Sequence, residues 1–187
     1  VGVFRDNANQ ELGDQTMIGF ANGVLGDSEP YYPTMEEREI QSWDKVDEFG
    51  TKFSDEVIPL MQQGLSQTGE SSLVLETYSN FIPMPEVIAG TPLMEGLLAV
   101  SSVLPNELEF KALRLGNNII TFVPGEPTTP VGLSIKDTVK AESGMHSFLI
   151  PVSNDYTGYY PSQEQYNEME GDGNYERQVC MFGETTD

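Results

Sequence analysis

One acidic side chain lies in the sequence where α/β proteins place their ligands. Glu126 follows an apolar, β-branched run at residues 119–123 and a Pro-Gly pair, and two threonines, Thr128 and Thr129, come after it. The run predicts a strand, and the threonines could cap a following helix. Because ligands bind at the carboxyl ends of strands in α/β sheets, Glu126 is a candidate binding residue. A plain strand-turn-helix junction would need the same Gly, Pro and Thr residues.

A second polar segment follows the next predicted strand. Residues 148–152 are apolar, and residues 154–159 read Asn-Asp-Tyr-Thr-Gly-Tyr. If both strands end at one edge of the sheet, this acid and these two tyrosines lie near Glu126. A surface loop that happens to carry aromatic residues would have the same composition.

Four short motifs occur in a fixed order along the chain. They are Pro124-Gly125-Glu126-x-Thr128-Thr129, Asn154-Asp155-Tyr156-x-x-Tyr159, Gln163-Glu164-Gln165-Tyr166 and Tyr175-Glu176. This order resembles the neutral ceramidase family, which has Pro-Gly-Glu-Phe-Thr-Thr, Asn-x-Tyr-x-x-Tyr, Glu-Glu-Tyr and Tyr-Glu. Upstream, residues 20–27 are similar to the family's Phe-Ala-x-x-Asn-Leu-Gly-Asp segment. The resemblance implies that residues 1–187 are a single or partial domain, the C-terminal portion of a ceramidase-like catalytic domain.

The resemblance also implies a zinc-dependent hydrolase. Neutral ceramidases cleave the amide of N-acylsphingosine with one zinc ion, and the family's ligand positions in these motifs fall on Glu126 and Tyr159. Oxygen ligands leave zinc strongly Lewis acidic, which suits attack on an amide carbonyl. The family tyrosine that helps to hold the reacting carbonyl corresponds to Tyr175, and a phenol is a suitable donor for an oxyanion.

The turn that carries the family's active-site serine departs from the pattern. The family has Gly-Asp-Val-Ser-Pro, with the serine in fourth place, whereas this chain has Gly-Asp-Ser-Glu-Pro at residues 26–30. The resemblance implies Asp27 and Ser28 as catalytic residues. Either Ser28 serves after a one-residue adjustment of the backbone, or Glu29 has replaced the serine.

The number of histidines limits the zinc site. The family's zinc needs two histidines upstream of this turn, but the only histidine of the chain is His146. We expect His146 to be an exposed residue and not a ligand. The resemblance therefore implies an incomplete set of ligands for one zinc ion, with the rest supplied by a second chain or a missing N-terminal portion.

The pattern of apolar residues predicts an α/β fold, a mixed β-sheet with a hairpin, flanked by helices. Strands are predicted at 15–25, 72–78, 107–115, 119–123 and 148–152, and the Gly-Asn-Asn sequence at 116–118 predicts that the third and fourth form the hairpin. Strands that alternate with helices are typical of α/β domains.

Helical spacing is strongest in the first third of the chain. A capping box at residues 34–37 precedes apolar residues at steps of three and four, which predicts an amphipathic helix of about five turns. Gly50 and Pro59 predict a kink or an early end. The stripe that we expect to be buried is Val46, Phe49, Phe53, Val57 and Leu60. Shorter helices are predicted at 93–104, 134–139 and 162–169.

The composition excludes several classes of function. Thirty Asp and Glu against nine Lys and Arg give a formal net charge of −21, which repels nucleic acids and anionic membranes. No apolar run approaches the roughly 18 residues of a membrane helix, and no phosphate-binding glycine loop occurs. The single cysteine, Cys180, can form no disulfide within the chain. An acidic, solvated surface is typical of a secreted or extracellular protein.

Two functions of different classes follow from the sequence. The first is zinc-dependent hydrolysis of the amide bond of ceramide or a related N-acyl lipid. The alternative is a non-catalytic extracellular structural or interaction subunit built on a ceramidase-like fold, since a fold can survive the loss of its chemistry. Copurification of a second chain that carries the missing histidines would separate the two.

Overall fold

The structure, a computed structural model, describes residues 1–13, 16–28, 43–66, 74–85, 105–168 and 179–182. By their contacts they belong to two compact units, the first Val1–Ala21 with Pro30–Ser72 and the second Asn22–Glu29 with Leu73–Asp187. The organisation of 1–187 as one domain or a partial domain stays a prediction. The capping box at 34–37 and the helix at 93–104 lie outside the described residues.

Among the described elements, two helices come first along the chain, four strands follow them, and two further helices are separated by the last two strands. In order they are α1 (Gly2–Leu12), α2 (Trp43–Ser66), β1 (Leu75–Pro83), β2 (Glu107–Leu115), β3 (Asn118–Phe122), β4 (Glu126–Pro127), α3 (Thr129–Ser143), β5 (His146–Ile150), β6 (Tyr159–Tyr160) and α4 (Gln163–Glu168). Within the described part of the chain, no helix is both long enough and apolar enough to span a membrane.

The first unit consists of α1 packed on α2. Phe4 and Ala8 of α1 and Ile58 of α2 form its buried cluster. Where a Cβ on Gly50 would lie, the Cβ of Val3 is only 2.7 Å away, so the two helices approach closely at this point. One turn later, Ser54 is buried and bonds to the carbonyl of Gly50 at 2.7 Å.

The prediction of the buried stripe is wrong in part. Val46, Phe49 and Leu60 are 51%, 65% and 65% exposed, and Phe53 is 37% exposed. The buried face of α2 is instead the row that begins at Gly50 and continues through Ser54 and Ile58. Sequence analysis did not predict α1. This helix packs on the face of α2 that carries Gly50 and Ser54, because small residues allow two helices to approach closely.

Of the two outcomes predicted for Gly50 and Pro59, a kink or an early end, the early end does not occur. The helix runs through Pro59 to Ser66. Pro59 removes a backbone donor and costs about 3 kcal/mol in a helix interior. Ile58 is buried and Met61 packs on the same cluster, so contacts on both sides of the proline stabilise the continued helix.

Enlarging Gly50 tests this close contact. Gly50→Leu should lower the free energy of unfolding by about 1 to 3 kcal/mol, because the new side chain overlaps Val3. The matched control is Gly64→Leu in the same helix, where nothing lies within 4 Å of a Cβ. The control should be neutral or mildly stabilising, since leucine is the better helix former. Equal effects of the two substitutions in urea unfolding would contradict the packing of α1 on Gly50.

The second unit is built on a four-stranded sheet with the order β1-β2-β3-β5. The neighbouring strands β1, β2 and β3 are antiparallel, whereas β3 and β5 are parallel and connected through α3. The buried cluster comprises Val123, Leu149, Tyr160, Met181 and Phe182. The predicted fold class, a mixed sheet with a hairpin and flanking helices, is confirmed.

Two strand predictions need correction. Residues 16–28 form no strand; they are an irregular segment whose Val24 packs into the space above Gly132 of α3. The strand predicted at 72–78 begins at Leu75, runs to Pro83 and is largely exposed rather than buried. Among the described strands it lies at the edge of the sheet and pairs with β2 alone.

Candidate metal and catalytic site

The two predicted metal ligands lie side by side on a second, two-stranded sheet. Strands β4 and β6 are parallel, with Glu126 paired directly to Tyr159. The amide of Glu126 donates to the carbonyl of Gly158 at 2.8 Å, and that of Thr128 donates to the carbonyl of Tyr160 at 3.0 Å. Because register partners project from the same face of a sheet, the carboxylate and the phenol share one face. That they bind zinc stays a prediction.

The loop between β5 and β6 is bonded to the segment before β4. Val152, Ser153 and Thr157 donate their amides to carbonyls of residues 123–125 at 3.0, 3.0 and 2.9 Å. Val152 and Asn154 have left-handed backbones, with φ of 53° and 70°. A β-branched residue rarely adopts this conformation, and the hydrogen bonds to 123–125 hold it. This loop thereby fixes the register that brings Tyr159 opposite Glu126.

Tyr156 orients the Glu126 carboxylate. Its hydroxyl donates to Oε1 of Glu126 at 2.7 Å. A hydrogen bond of this kind to one carboxylate oxygen fixes the direction in which the other points, as outer-sphere partners do at metal sites. Sequence analysis assigned Tyr156 no role. The position of Tyr156 within the Asn-x-Tyr-x-x-Tyr motif could have indicated a role at this site.

The turn that carries Ser28 lies against β4. The amide of Gly26 donates to the carbonyl of Pro127 at 3.0 Å, and a Cβ on Gly26 would overlap the carbonyl oxygen of Glu126. Ser28 is exposed, and within the described part of the chain its hydroxyl makes a long contact of 3.5 Å with the carbonyl of Val24. The turn therefore adjoins the strand of Glu126 through Gly26, whereas Glu29 lies outside the described residues.

Asp27 caps helix α3. Its Oδ1 accepts hydrogen bonds from the amide and the hydroxyl of Thr129 at 2.7 and 2.8 Å, and its Oδ2 accepts from Nε2 of Gln165 at 3.3 Å. Thr128 occupies the N-cap position, but its side chain makes no capping bond. The sequence predicted that the threonines cap the helix. In the structure the capping side chain is Asp27, which lies 102 positions before Thr129.

Two other residues singled out in the sequence are Tyr175 and His146. Tyr175 lies outside the described residues. His146 is the exposed first residue of β5, paired with Asn118 at the amino end of β3, whereas Glu126 follows the carboxyl end of that strand. Among the described residues, no group of three or more His, Cys, Asp or Glu side chains is placed to hold a metal ion.

An apolar cavity of about 620 Å³ lies between the larger sheet and α3. Its lining includes Ile82, Phe110, Val123, Ile135 and Tyr160, but neither Glu126 nor Tyr159. Since successive residues of a strand project to opposite faces, Tyr160 projects towards the cavity while Tyr159 projects away from it. The cavity and the candidate metal site are thus on opposite sides of the small sheet.

The fold is similar to that of two solved structures. Neutral ceramidase from Pseudomonas aeruginosa matches 99% of this chain with a TM-score of 0.69 and 16% identity. This chain has a ceramidase-like fold. A structure described as ceramidase complexed with C2 matches 76% of the chain with a TM-score of 0.54 and 16% identity. The resemblance inferred from the motifs is therefore confirmed at the level of the fold.

The ceramidase-like chain corresponds to only part of these neighbours. It spans 38% of the length of the Pseudomonas aeruginosa enzyme and 32% of the second structure. No protein-family model and no curated protein matches the sequence.

Tyr160, the neighbour of Tyr159 on β6, should make stability depend on alkaline pH. Burial raises its pKa to about 12, while its contact with Thr157 works in the other direction. The folded chain therefore keeps a proton that the unfolded chain loses near pH 10, and stability falls as pH rises from about 10 to about 12. The loss should reach about 2 to 3 kcal/mol. Urea unfolding of Tyr160→Phe should show a smaller fall than the parent chain over this range; equal slopes would contradict the assignment.

Proposed function

We propose that this chain supplies part of the active site of a zinc-dependent hydrolase that cleaves the amide bond of ceramide or a related N-acyl lipid. The observation that carries the proposal is the direct pairing of Glu126 with Tyr159, the two positions that the family motifs mark as metal ligands. Polypeptide outside this chain supplies the remaining ligands. A secreted or extracellular location accords with the net charge of −21.

The donors present fit one side of a zinc site. Zinc in catalytic sites accepts carboxylate oxygens at about 2.0 to 2.2 Å, and the oxygen side chains of a register pair share one face of a sheet. When bound, zinc supplies Lewis acidity towards the amide carbonyl. Glu126 and Tyr159 would hold the ion, and Tyr156 keeps the carboxylate oriented through its bond of 2.7 Å.

The side chains that would act on the substrate come from the turn at residues 26–30 and from Tyr175. Ser28 lies at the end of the turn that rests on β4, with its hydroxyl exposed. In the proposal this hydroxyl, or Glu29 after it, acts on the substrate at the scissile bond. Tyr175 donates a hydrogen bond to the reacting carbonyl, where a phenol stabilises developing negative charge.

Hydrolysis of a fluorescent N-acylsphingosine tests the proposal. The chain is assayed with an upstream polypeptide that carries the two missing histidines. Glu126→Gln and Tyr159→Phe should each lower turnover on the order of 10²-fold or more, because each removes a metal donor, and even outer-sphere changes cost about 10- to 100-fold. Matched controls are Glu164→Gln and Tyr78→Phe, exposed residues of the same unit, which should leave turnover unchanged. Ser28→Ala distinguishes Ser28 from Glu29: full activity would exclude the serine hydroxyl.

A non-catalytic subunit is the second candidate, and one observation favours it. Alternate residues of the large sheet place apolar side chains on the face opposite α3, and Leu75, Phe81 and Phe148 are 64%, 56% and 55% exposed. Exposed apolar surface of this kind is typical of protein interfaces. A complex that forms with the upstream polypeptide but neither binds zinc nor hydrolyses the lipid would favour this function.

A further inference from the structure

Two side chains link the serine turn to the strands that carry the metal ligands. Asp27 on the turn accepts hydrogen bonds from Thr129 with Oδ1 and from Gln165 with Oδ2. The turn, the start of α3 and helix α4 are therefore joined by one carboxylate. These segments are far apart in sequence, at 102 and 138 residues from Asp27.

Gln165 connects the same contact to both strands of the small sheet. Its Oε1 accepts a hydrogen bond of 2.6 Å from the hydroxyl of Thr128, which follows β4. The same oxygen accepts the amide of Ser162, shortly after β6, at 3.2 Å. With its oxygen engaged by two donors, the amide group can present only Nε2 to Asp27. The orientation of Gln165 is thus determined, and it requires an acceptor at position 27.

The carboxylate is also placed to interact with the helix dipole. The amide of Thr129 is the first of α3, and negative charge at the amino end of a helix is favourable. Thr128 leaves this place open because its hydroxyl is turned towards Gln165 and the carbonyl of Tyr160. The orientation of the Thr128 hydroxyl therefore has two effects. It leaves the amide of Thr129 to be capped by another residue, and it holds Gln165, which in turn bonds to the capping residue Asp27.

We propose that Asp27 and Gln165 form a latch that positions the Ser28 turn on β4, and that Asp27 acts through this contact and not on the substrate. The latch is defined as the hydrogen bonds that join Asp27 to Thr129 and Gln165. Its role in positioning Ser28 rests on the proposed function, whereas its effect on the turn does not. Gln165 is a positioning residue that the motif comparison left without a role.

An exchange of donor and acceptor tests the latch in the chain itself. Asp27→Asn keeps an oxygen for Thr129 but sets a second NH₂ group against Nε2 of Gln165. Gln165→Glu sets a carboxylate against that of Asp27. The double variant Asp27→Asn/Gln165→Glu restores the bond, since the new amide nitrogen at position 27 donates to the new carboxylate at position 165. The net charge of the double variant equals that of the parent chain.

Amide hydrogen exchange reports where the turn lies. The Gly26 amide bonds to Pro127 of β4, whereas the Ser28 amide bonds within the turn to Leu25 at 3.1 Å. Each single substitution should lower protection of Gly26 by roughly 5- to 10-fold, as expected for the loss of the one hydrogen bond between the side chains at 27 and 165, and leave Ser28 unchanged. The double variant should recover the protection of the Gly26 amide. Glu164→Gln, an exposed change of charge on α4, is the control. Unchanged Gly26 protection in both single variants, or no recovery in the double variant, would overturn the latch.

Turnover in the assembly with the upstream polypeptide then separates positioning from catalysis. If Asp27 only positions the turn, the double variant regains the activity that the single variants lose. An inactive double variant with recovered Gly26 protection would overturn the positioning role and make Asp27 a catalytic residue. If the parent assembly hydrolyses no lipid, the proposed function fails, while the exchange result still decides whether the latch exists.

Discussion

Zinc titrated into the isolated chain at high salt should bind weakly, with a dissociation constant on the order of millimolar, about −4 kcal/mol. A complete structural zinc site provides about 10 to 16 kcal/mol. Glu126 and Tyr159 supply two oxygen donors, whereas catalytic zinc sites use three protein ligands with at least one imidazole among them. Addition of an upstream polypeptide with two histidines should strengthen binding by several orders of magnitude, which calorimetry measures directly.

The acidic surface requires a control in this titration. With a net charge of −21 the chain attracts divalent cations without a specific site. Salt screens this attraction, with a Debye length of about 10 Å at 0.1 M, but does not remove coordinated zinc. Glu126→Ala should abolish the strong binding of the complex, and Glu164→Ala should not. Tight binding of one zinc by the chain alone would contradict the incomplete site and direct attention to His146.

The parts of the fold that sequence predicted are those fixed by local chemistry. The hairpin of β2 and β3 follows from alternating apolar residues and the Gly-Asn-Asn turn, and both signals act over a few residues. The pairing of Glu126 with Tyr159 was predictable for a related reason. Each follows the carboxyl end of a parallel strand, and parallel neighbours end at the same edge.

The parts that were missed depend on contacts between distant segments. Which face of α2 is buried is decided by α1, whose own sequence has weak amphipathic character. Pro59 is tolerated because burial on both sides outweighs its local cost. The cap of α3 comes from Asp27, and no spacing rule links a helix start to a residue 102 positions upstream. Local propensity is a weak prior wherever tertiary contacts of this kind compete with it.

Gly26 offers a test of the site's geometry that touches no reacting group. Gly26→Ala should lower the free energy of unfolding by about 1 to 3 kcal/mol, because its Cβ would overlap the carbonyl oxygen of Glu126 and lie 3.0 Å from the backbone of Pro127. These are backbone atoms of β4, so the overlap can be relieved only by lifting the turn or displacing the strand that carries Glu126.

The matched control for this substitution is Gly23→Ala in the same segment, where nothing lies within 4 Å of the added Cβ. Both substitutions restrict the unfolded chain equally, so that contribution cancels in the comparison. The control should change stability by less than about 0.5 kcal/mol. Urea unfolding followed by circular dichroism measures both, and exchange at the amide of residue 26 shows whether the turn has left β4. A variant at Gly26 as stable as the control, with an amide at residue 26 that exchanges freely in the parent chain as well, would mean that the turn does not rest on the Glu126 backbone, and Ser28 would then lose its place beside the proposed metal ligands.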